Sequence, residues 1–445
     1  MNCKNSDLEI SSDDPFKNCC LKRKPYAEAL ESIVSNYSTG FVLAINGEWG
    51  TGKTTFVKMW QANLKKNGFH TIYFNAWEND FISDPIVALL GELKSAEPNF
   101  PKIESLLTSG GKVAKCIMKG VITNYFGKET TEAIKEIGEV IVKPFLEEEI
   151  ANYENSLTEI KHFRTDLEEY VSVNCKDKPL VFIVDELDRC APSYAVKVLE
   201  RIKHLFSVEG IVYVLSIDKV QLANSVKGYY GSDLINADDY LRRFIDVEYT
   251  LPLPCMEDYC KYLYSYFQFE KYKFDDFMEL ITSLCNDKNL SLRQVEKIFS
   301  QLKIAFSLCP SFVEKHSELL LLLSYLKLHY PDLYEKLKKK KLTIQELVFK
   351  LEEAFPQAVQ ADLERYRWVI GDLLFYYYSS FNTGEQKRIG GLLTNSSTGS
   401  NDLAFTLNKF NKKLLLESVE WKKDGRISLD ILICKIDFFE NVKAR

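Results

Sequence analysis

No stretch of the chain comes near eighteen uninterrupted apolar residues; the most apolar run, Leu319 to Leu323, is far too short to cross a bilayer as a helix. The N-terminus is polar and lacks the apolar centre of a secretory leader. Cysteine is present eleven times, but never as C-x-x-C, and there are only five histidines to accompany it. Cys19 and Cys20 are adjacent, and Cys255 and Cys260 have no second pair. That pattern favours reduced cytosolic thiols over a metal site. Excess charge of one sign is also missing: the formal net charge of −6 speaks against a broad non-specific nucleic-acid binder. No internal repeat is visible. These absences predict a soluble, cytoplasmic protein with no transmembrane segment.

What is present is a sequence of 445 residues, 46% hydrophobic and 27% charged, long enough for two or three domains. Residues 1–24 are polar and basic and read as a poorly ordered lead-in. Pro25 to Tyr37 has helical spacing with proline in its first turn. Strand-length apolar runs follow at Phe41–Asn46, His70–Asn75, Pro179–Asp185, Ile211–Ile217 and Asp246–Leu251, with helical patterns between them. That alternation predicts an α/β fold with a parallel, helix-covered sheet. About 100 residues separate the second and third strands. A gap of that length predicts an inserted helical subdomain, with helices at Pro85–Lys94, Ile134–Leu146 and Glu147–Val173, and a weaker, glycine-containing stretch from Thr108 to Lys128. The amphipathic face of residues 113–146 suits burial in a bundle better than contact with a membrane or partner.

Beyond Pro252 the strand pattern disappears and residues 255–350 read as helices. Lys338–Lys341 reads as a solvated helix end, with a nucleic-acid patch as the weaker alternative. Gly390–Asn401 has linker composition, and Ile427–Phe439 is short and β-prone. The expected division is therefore a lead-in (1–24), a core (25–80 and 178–254), a helical insertion (81–177), a helical lid-like domain (255–350) and a helical or mixed partner region (351–445).

The chemistry is concentrated in Gly47-Glu48-Trp49-Gly50-Thr51-Gly52-Lys53-Thr54, a full match to G-x-x-x-x-G-K-[ST] between a strand and a helix. Glycines let successive N–H groups turn inward as an anion nest, and the helix N-terminus adds partial positive charge. Lys53 is expected to reach the β- and γ-phosphates, and Thr54 to place its hydroxyl on Mg²⁺, with Thr55 beside it. Asp185 and Glu186 end a continuous apolar strand, the position at which a parallel sheet carries its chemistry. Asp185 is the second expected Mg²⁺ ligand, and Glu186 the group that polarises the attacking water. A carboxylate pair there is costly without a cation.

Taken together, Gly47–Thr55, Phe74-Asn75-Ala76-Trp77, Val184-Asp185-Glu186-Leu187-Asp188-Arg189-Cys190 and Tyr240–Phe244 through Leu251-Pro252-Leu253-Pro254 resemble the KAP family of P-loop NTPases over residues 20–305. The resemblance implies a core with strand order 5-1-4-3-2, a helical insertion after the second strand and a helical region beyond the sheet. It also implies ATP as the nucleotide. Many members carry paired transmembrane helices in the insertion; this chain shows none. The family's basic segment is only partly matched by Ser291–Lys297, where Arg293 is either a γ-phosphate sensor or a surface arginine on a capped helix.

Other candidates keep two readings each. Ser216 ends the fourth strand, where a polar group either reports the γ-phosphate or caps the strand end. Arg242 and Arg243 are either arginine fingers, in cis or from a neighbour, or ion-pair partners of Asp238, Asp239 or Asp246. Arg189 reads as structural, pinning the carboxylate loop, and Trp77 as a packed core aromatic. The expected function is a Mg²⁺-dependent ATP hydrolase used as a switch, with a protein partner or a second copy engaged through the helical regions. The alternative is a nucleotide-loaded scaffold with little turnover; no motif marks the acceptor pocket of a small-molecule kinase. A role in bacterial phage defence or exclusion follows from the resemblance alone.

Overall fold

The computed structural model describes residues 9–36, 40–117, 142–175, 177–272, 277–308, 310–355, 364–379 and 429–437. The chain divides into two compact units, with the boundary between Leu253 and Pro254.

The first unit is built on five parallel strands: β1 (Phe41–Asn46), β2 (Thr71–Asn75), β3 (Leu180–Asp185), β4 (Ile211–Ile217) and β5 (Val247–Thr250), in the order β2-β3-β4-β1-β5. This is the expected 5-1-4-3-2 order read from the other edge. β3 and β4 are buried along their whole length, which is why their sequences are continuous apolar runs without alternation. β5 is an edge strand and is largely exposed.

Successive strand residues point to opposite faces, so each face has its own core. On one, Leu43, Ile45, Val181, Ile183, Val212 and Val214 pack against α1 (Lys24–Asn36) and α2 (Lys53–Lys66). On the other, Phe74, Phe182, Val184, Tyr213 and Leu215 pack against α3 (Pro85–Ala96), α4 (residues 103–117), α5 (Val142–Asn174), α6 (Pro192–Arg201), α7 (Lys219–Tyr230) and α8 (Ala237–Leu241). The helix beginning at Pro192 ends in a π turn, Ile202–Phe206.

Two local expectations are corrected. Residues 9–23 are not loose: Phe16 is buried 6.5 Å from the Phe56 ring, and Lys66 donates to the Asp13 carbonyl. One aromatic anchor outweighs a polar composition. The stretch after Thr108 is helical as far as it is described, and Gly110 is there for packing. A Cβ on it would lie 2.6 Å from Leu90 Cδ1 on α3. The helix expected at Ile134–Leu146, with Gly120, Gly127 and most of the 113–146 face, falls mainly outside the described residues, as does the 390–401 linker.

The second unit is helical: α9 (Met256–Tyr266), α10 (Phe277–Asp287), α11 (Leu292–Leu308), α12 (Pro310–His329), α13 (Pro331–Lys338), α14 (Ile344–Ala354), α15 (Glu364–Ser379) and α16 (Leu429–Ile436). The β-prone tail is thus a helix over its described part. Leu429, Leu432, Ile433 and Ile436 are buried at i, i+3, i+4 and i+7, so packing overrides β propensity. The lysine run is not simply solvated. Lys338 pairs with Asp437, Lys340 with Asp430 and Lys339 with Glu335. Among the described residues, no helix is long and apolar enough to cross a membrane.

Candidate nucleotide site

Sheet register places the polar ends of three strands in one row. Asn75 lies opposite Asp185, and Asp185 opposite Ser216. The loop from Gly47 to Gly52 leaves the C-terminal end of the neighbouring β1 and is tied to the row's last strand by Gly47 N–H donating to the Ile217 carbonyl at 3.1 Å.

The loop's curl requires left-handed backbone at Gly50 (φ 82°) and Gly52 (φ 81°), which side chains disfavour. Inside it, the Thr51 hydroxyl donates to Glu48 O at 2.8 Å. Lys53 is buried, and its ammonium donates to the carbonyls of Gly47 (2.5 Å) and Glu48 (3.0 Å). Burial lowers the Lys53 pKa, opposed by Asp188, Asp218 and Asp185. Thr54 is half-buried on the first turn of α2, and Thr55 is exposed.

Arg23 carries no motif and lies inside the expected lead-in, yet it belongs to the site. Its guanidinium is buried and donates to Thr51 O at 2.7 Å and Gly52 O at 3.1 Å. A trans peptide points its carbonyl and its N–H in opposite directions. Holding these two carbonyls outward therefore turns the N–H groups of Gly52 and Lys53 away from Arg23. Burial lowers the Arg23 pKa.

Asp185 is 1% exposed. It accepts from the Tyr73 hydroxyl at 2.8 Å and from the Glu186 N–H at 3.0 Å. Burial first, then Asp185, pushes the Tyr73 phenol far above its ordinary range, so it stays a donor. Among the described residues no basic side chain pairs with Asp185. A buried carboxylate supported only by neutral donors suits a divalent cation. Glu186 follows at φ 61°, a left-handed conformation that costs a non-glycine residue roughly 1–2 kcal/mol. Its carboxylate pairs with Arg189 at 2.6 Å and accepts from Asn75 Nδ2 at 3.3 Å.

Ser216 is fully buried, and its hydroxyl finds no hydrogen-bond partner among the described residues. The capping reading is therefore not realised. Asp218 is the cap, accepting from Val220 N and Gln221 N on α7 and from Trp49 N in the loop. Trp49 also donates through its indole to Asp188, whose pKa is raised by burial and held back by that bond.

Trp77 is not the packed aromatic expected from the sequence: it is 50% exposed, with the Arg189 guanidinium 5.6 Å from its ring centroid. A tryptophan just past a strand end, on a turn, has no sheet above it to bury it. Arg242 is exposed and pairs with Asp239 at 2.9 Å, the ion-pair alternative; Arg243 is exposed beside it. Arg293 is exposed on the first turn of α11, in the second unit. The first unit thus brings together Gly47–Thr54, Asn75, Asp185, Glu186 and Ser216. Tyr73, Asn75 and Asp188 have no role assigned by the sequence; Asn75 and Asp188 lie in the segments that carry the family resemblance, and Tyr73 stands two residues before the end of β2.

A model described as the KAP family P-loop domain matches residues 23–308. The chain is 21% identical over 233 residues to the phage T7 exclusion protein of Escherichia coli K12, a match covering 48% of this chain and 30% of that protein. It also aligns over 94% of its length with 96% of the Aeropyrum pernix ORC2 protein, solved as ADPNP-ADP complexes, at 16% identity and a TM-score of 0.34.

Proposed function

The chain belongs to the KAP family, whose P-loop domain it carries, and we propose that it is a Mg²⁺-dependent ATP hydrolase working as a nucleotide-driven switch. The observation that supports this best is a set of charges whose hydrogen bonds go to neutral groups. Lys53 and Arg23 rest on backbone carbonyls, and Asp185 on a phenol and an amide. A triphosphate supplies what the two cations lack. Lys53 exchanges the Gly47 and Glu48 carbonyls for phosphate oxygens, and the N–H groups of the loop add further donors.

Thr54 and Asp185 are the residues suited to hold Mg²⁺, which when bound neutralises developing charge on the phosphates. Glu186 orients and deprotonates water, and the unpartnered Ser216 hydroxyl is available to a water or a phosphate oxygen. Arg242, Arg243 and Arg293 are exposed and suited to act only if a further contact brings them in. Phosphate release by purified protein tests this. Lys53→Ala is expected to abolish binding at micromolar ATP, and Glu186→Gln to keep binding while turnover falls about 100-fold or more. Undiminished turnover in both variants defeats the mechanism.

One observation favours the scaffold reading: both carboxylate oxygens of Glu186 are engaged. ATP-dependent assembly without phosphate release, followed by light scattering with ATP and with ADP, is its signature. The likeness to the phage T7 exclusion protein supports a role in phage exclusion, with a protein partner or second copy. Unchanged phage plating on cells carrying the protein defeats that role.

A further inference from the structure

Glu186 is in the right place for a general base and in the wrong company. One oxygen faces the Arg189 guanidinium at 2.6 Å, with Glu186 side-chain exposure of 12% and Arg189 of 23%; the other accepts from Asn75. With both of its oxygens turned to Arg189 and Asn75, the carboxylate is not aimed at a water. The backbone offers no escape. Glu186 sits in the left-handed region, its carbonyl accepts from Arg189 N at 3.1 Å, and Cys190 Sγ lies 3.6 Å from that same oxygen.

Release must therefore come from the side chains. Both outer supports belong to one turn. Asn75 supplies the amide to Glu186, and its own Oδ1 accepts from the Trp77 N–H at 3.1 Å. Trp77 places its ring beside the guanidinium at 5.6 Å. This turn is on the surface, with Trp77 half exposed and Phe81 82% exposed.

We propose that Arg189 is a positioning residue that withholds Glu186 from water in the resting chain, backed by Trp77 and held shut by the Asn75–Trp77 turn. The proposal rests on Glu186 being the base. The basal rate is then set by how often the Arg189–Glu186 pair opens, and displacement of the exposed turn is the way to raise it. Arg189 differs from an arginine finger in the sign of its effect: its removal speeds turnover.

The test is steady-state phosphate release by the full chain, resolving kcat from KM for ATP. Arg189→Ala is expected to raise kcat about tenfold with KM within about twofold; tenfold corresponds to about 1.4 kcal/mol. Arg189→Lys keeps the ion pair and stays near the wild type. Trp77→Ala gives a smaller rise. Adding Glu186→Gln to Arg189→Ala removes the gain. A folded Arg189→Ala variant that binds ATP with kcat equal to or below the wild type overturns the latch. If that variant does not fold, Trp77→Ala decides, and no rise in kcat there overturns it. Glu186→Gln turning over as fast as the wild type defeats the hydrolytic reading instead.

Discussion

The nucleotide end of the first unit and the α12–α13–α16 corner of the second treat charge in opposite ways. At the corner, Asp437 accepts from Lys327 at 3.0 Å, from Lys338 and from the Tyr334 hydroxyl at 3.1 Å, while Lys340 holds Asp430 at 2.8 Å. Every one of these charges meets its opposite, and the product is the docking of α16. At the nucleotide end, Lys53, Arg23 and Asp185 make their hydrogen bonds to neutral groups, and the carboxylates of Asp188, Asp218 and Asp185 act on Lys53 without forming an ion pair with it. Dipoles stabilise a buried charge without cancelling it. The first arrangement closes a structure, and the second keeps charge in reserve for a ligand.

The largest effects should come from spoiling the reserve. Asp185→Asn keeps the shape and removes the charge. It is expected to cut Mg²⁺-dependent turnover about 100-fold or more while thermal stability holds or rises, because a costly buried charge is gone. A marked fall in Tm would mean that Asp185 is structural. Arg23→Met comes next. With the two carbonyls no longer held outward, affinity for ATP should fall about tenfold, from the loss of charged hydrogen bonds worth roughly 1.5–3 kcal/mol. Calorimetry of ATP and adenosine separates the causes: a loss confined to the phosphate-bearing ligand fits loop orientation, and an equal loss fits general damage.

Breaking the closed corner should cost stability and leave the chemistry alone. Asp437→Asn removes the anion shared by Lys327 and Lys338, which are each about a third exposed. An expected loss of roughly 1–2 kcal/mol should appear as faster hydrogen exchange in residues 429–437. ATP binding should be unchanged.

The smallest effect is on pH, and the two ends should differ in sign. Burial pushes the Asp437 carboxyl up, but bonds from Lys338 and Lys327 outweigh it and leave the pKa lowered. An acid with a depressed folded pKa contributes stability that is present above its unfolded value and lost as pH falls through the folded one. Protection of α16 should therefore fade below the ordinary carboxylate range. Asp188 is raised by burial, so its contribution to folding improves as pH falls through its folded pKa. Loss of α16 protection that begins at neutral pH would break the assignment to Asp437.

The same contrast explains which parts of the molecule are legible in its sequence. β1, β3 and β4 lie within a residue of their expected limits, because parallel strands buried at the centre, as β1 is, or throughout, as β3 and β4 are, write themselves as unbroken apolar runs. Gly47–Thr54 is legible because the loop needs those residue types at that spacing. Arg23 is not, since a single cation whose partners are backbone carbonyls leaves no pattern. Trp77 departs from expectation because burial depends on what lies above a strand end, which composition does not report. The Ile427–Phe439 tail departs for a related reason: its eight described helical residues take their shape from the groove they fill. Lys338–Lys341 resembles a solvated end in sequence because the acidic partners of Lys338 and Lys340 stand about 90 to 100 residues further along the chain.

α5 has a mechanical consequence. It runs for 33 residues, about 50 Å. Its buried anchors, Phe163, Leu167, Tyr170 and Val171, all lie in its C-terminal half, and the described side chains from Ala151 to Glu159 are exposed or half exposed. Among the described side chains the grip lies in that half, and a rod held there converts angle into distance. Over the roughly 27 Å from Val142 to Glu159, a tilt of about 5° at the anchor displaces the far end by about 2–3 Å. The anchor packs on the π turn that follows α6 through Phe163 and Phe206, rings 5.2 Å apart, so a strain at that turn would be amplified along the rod.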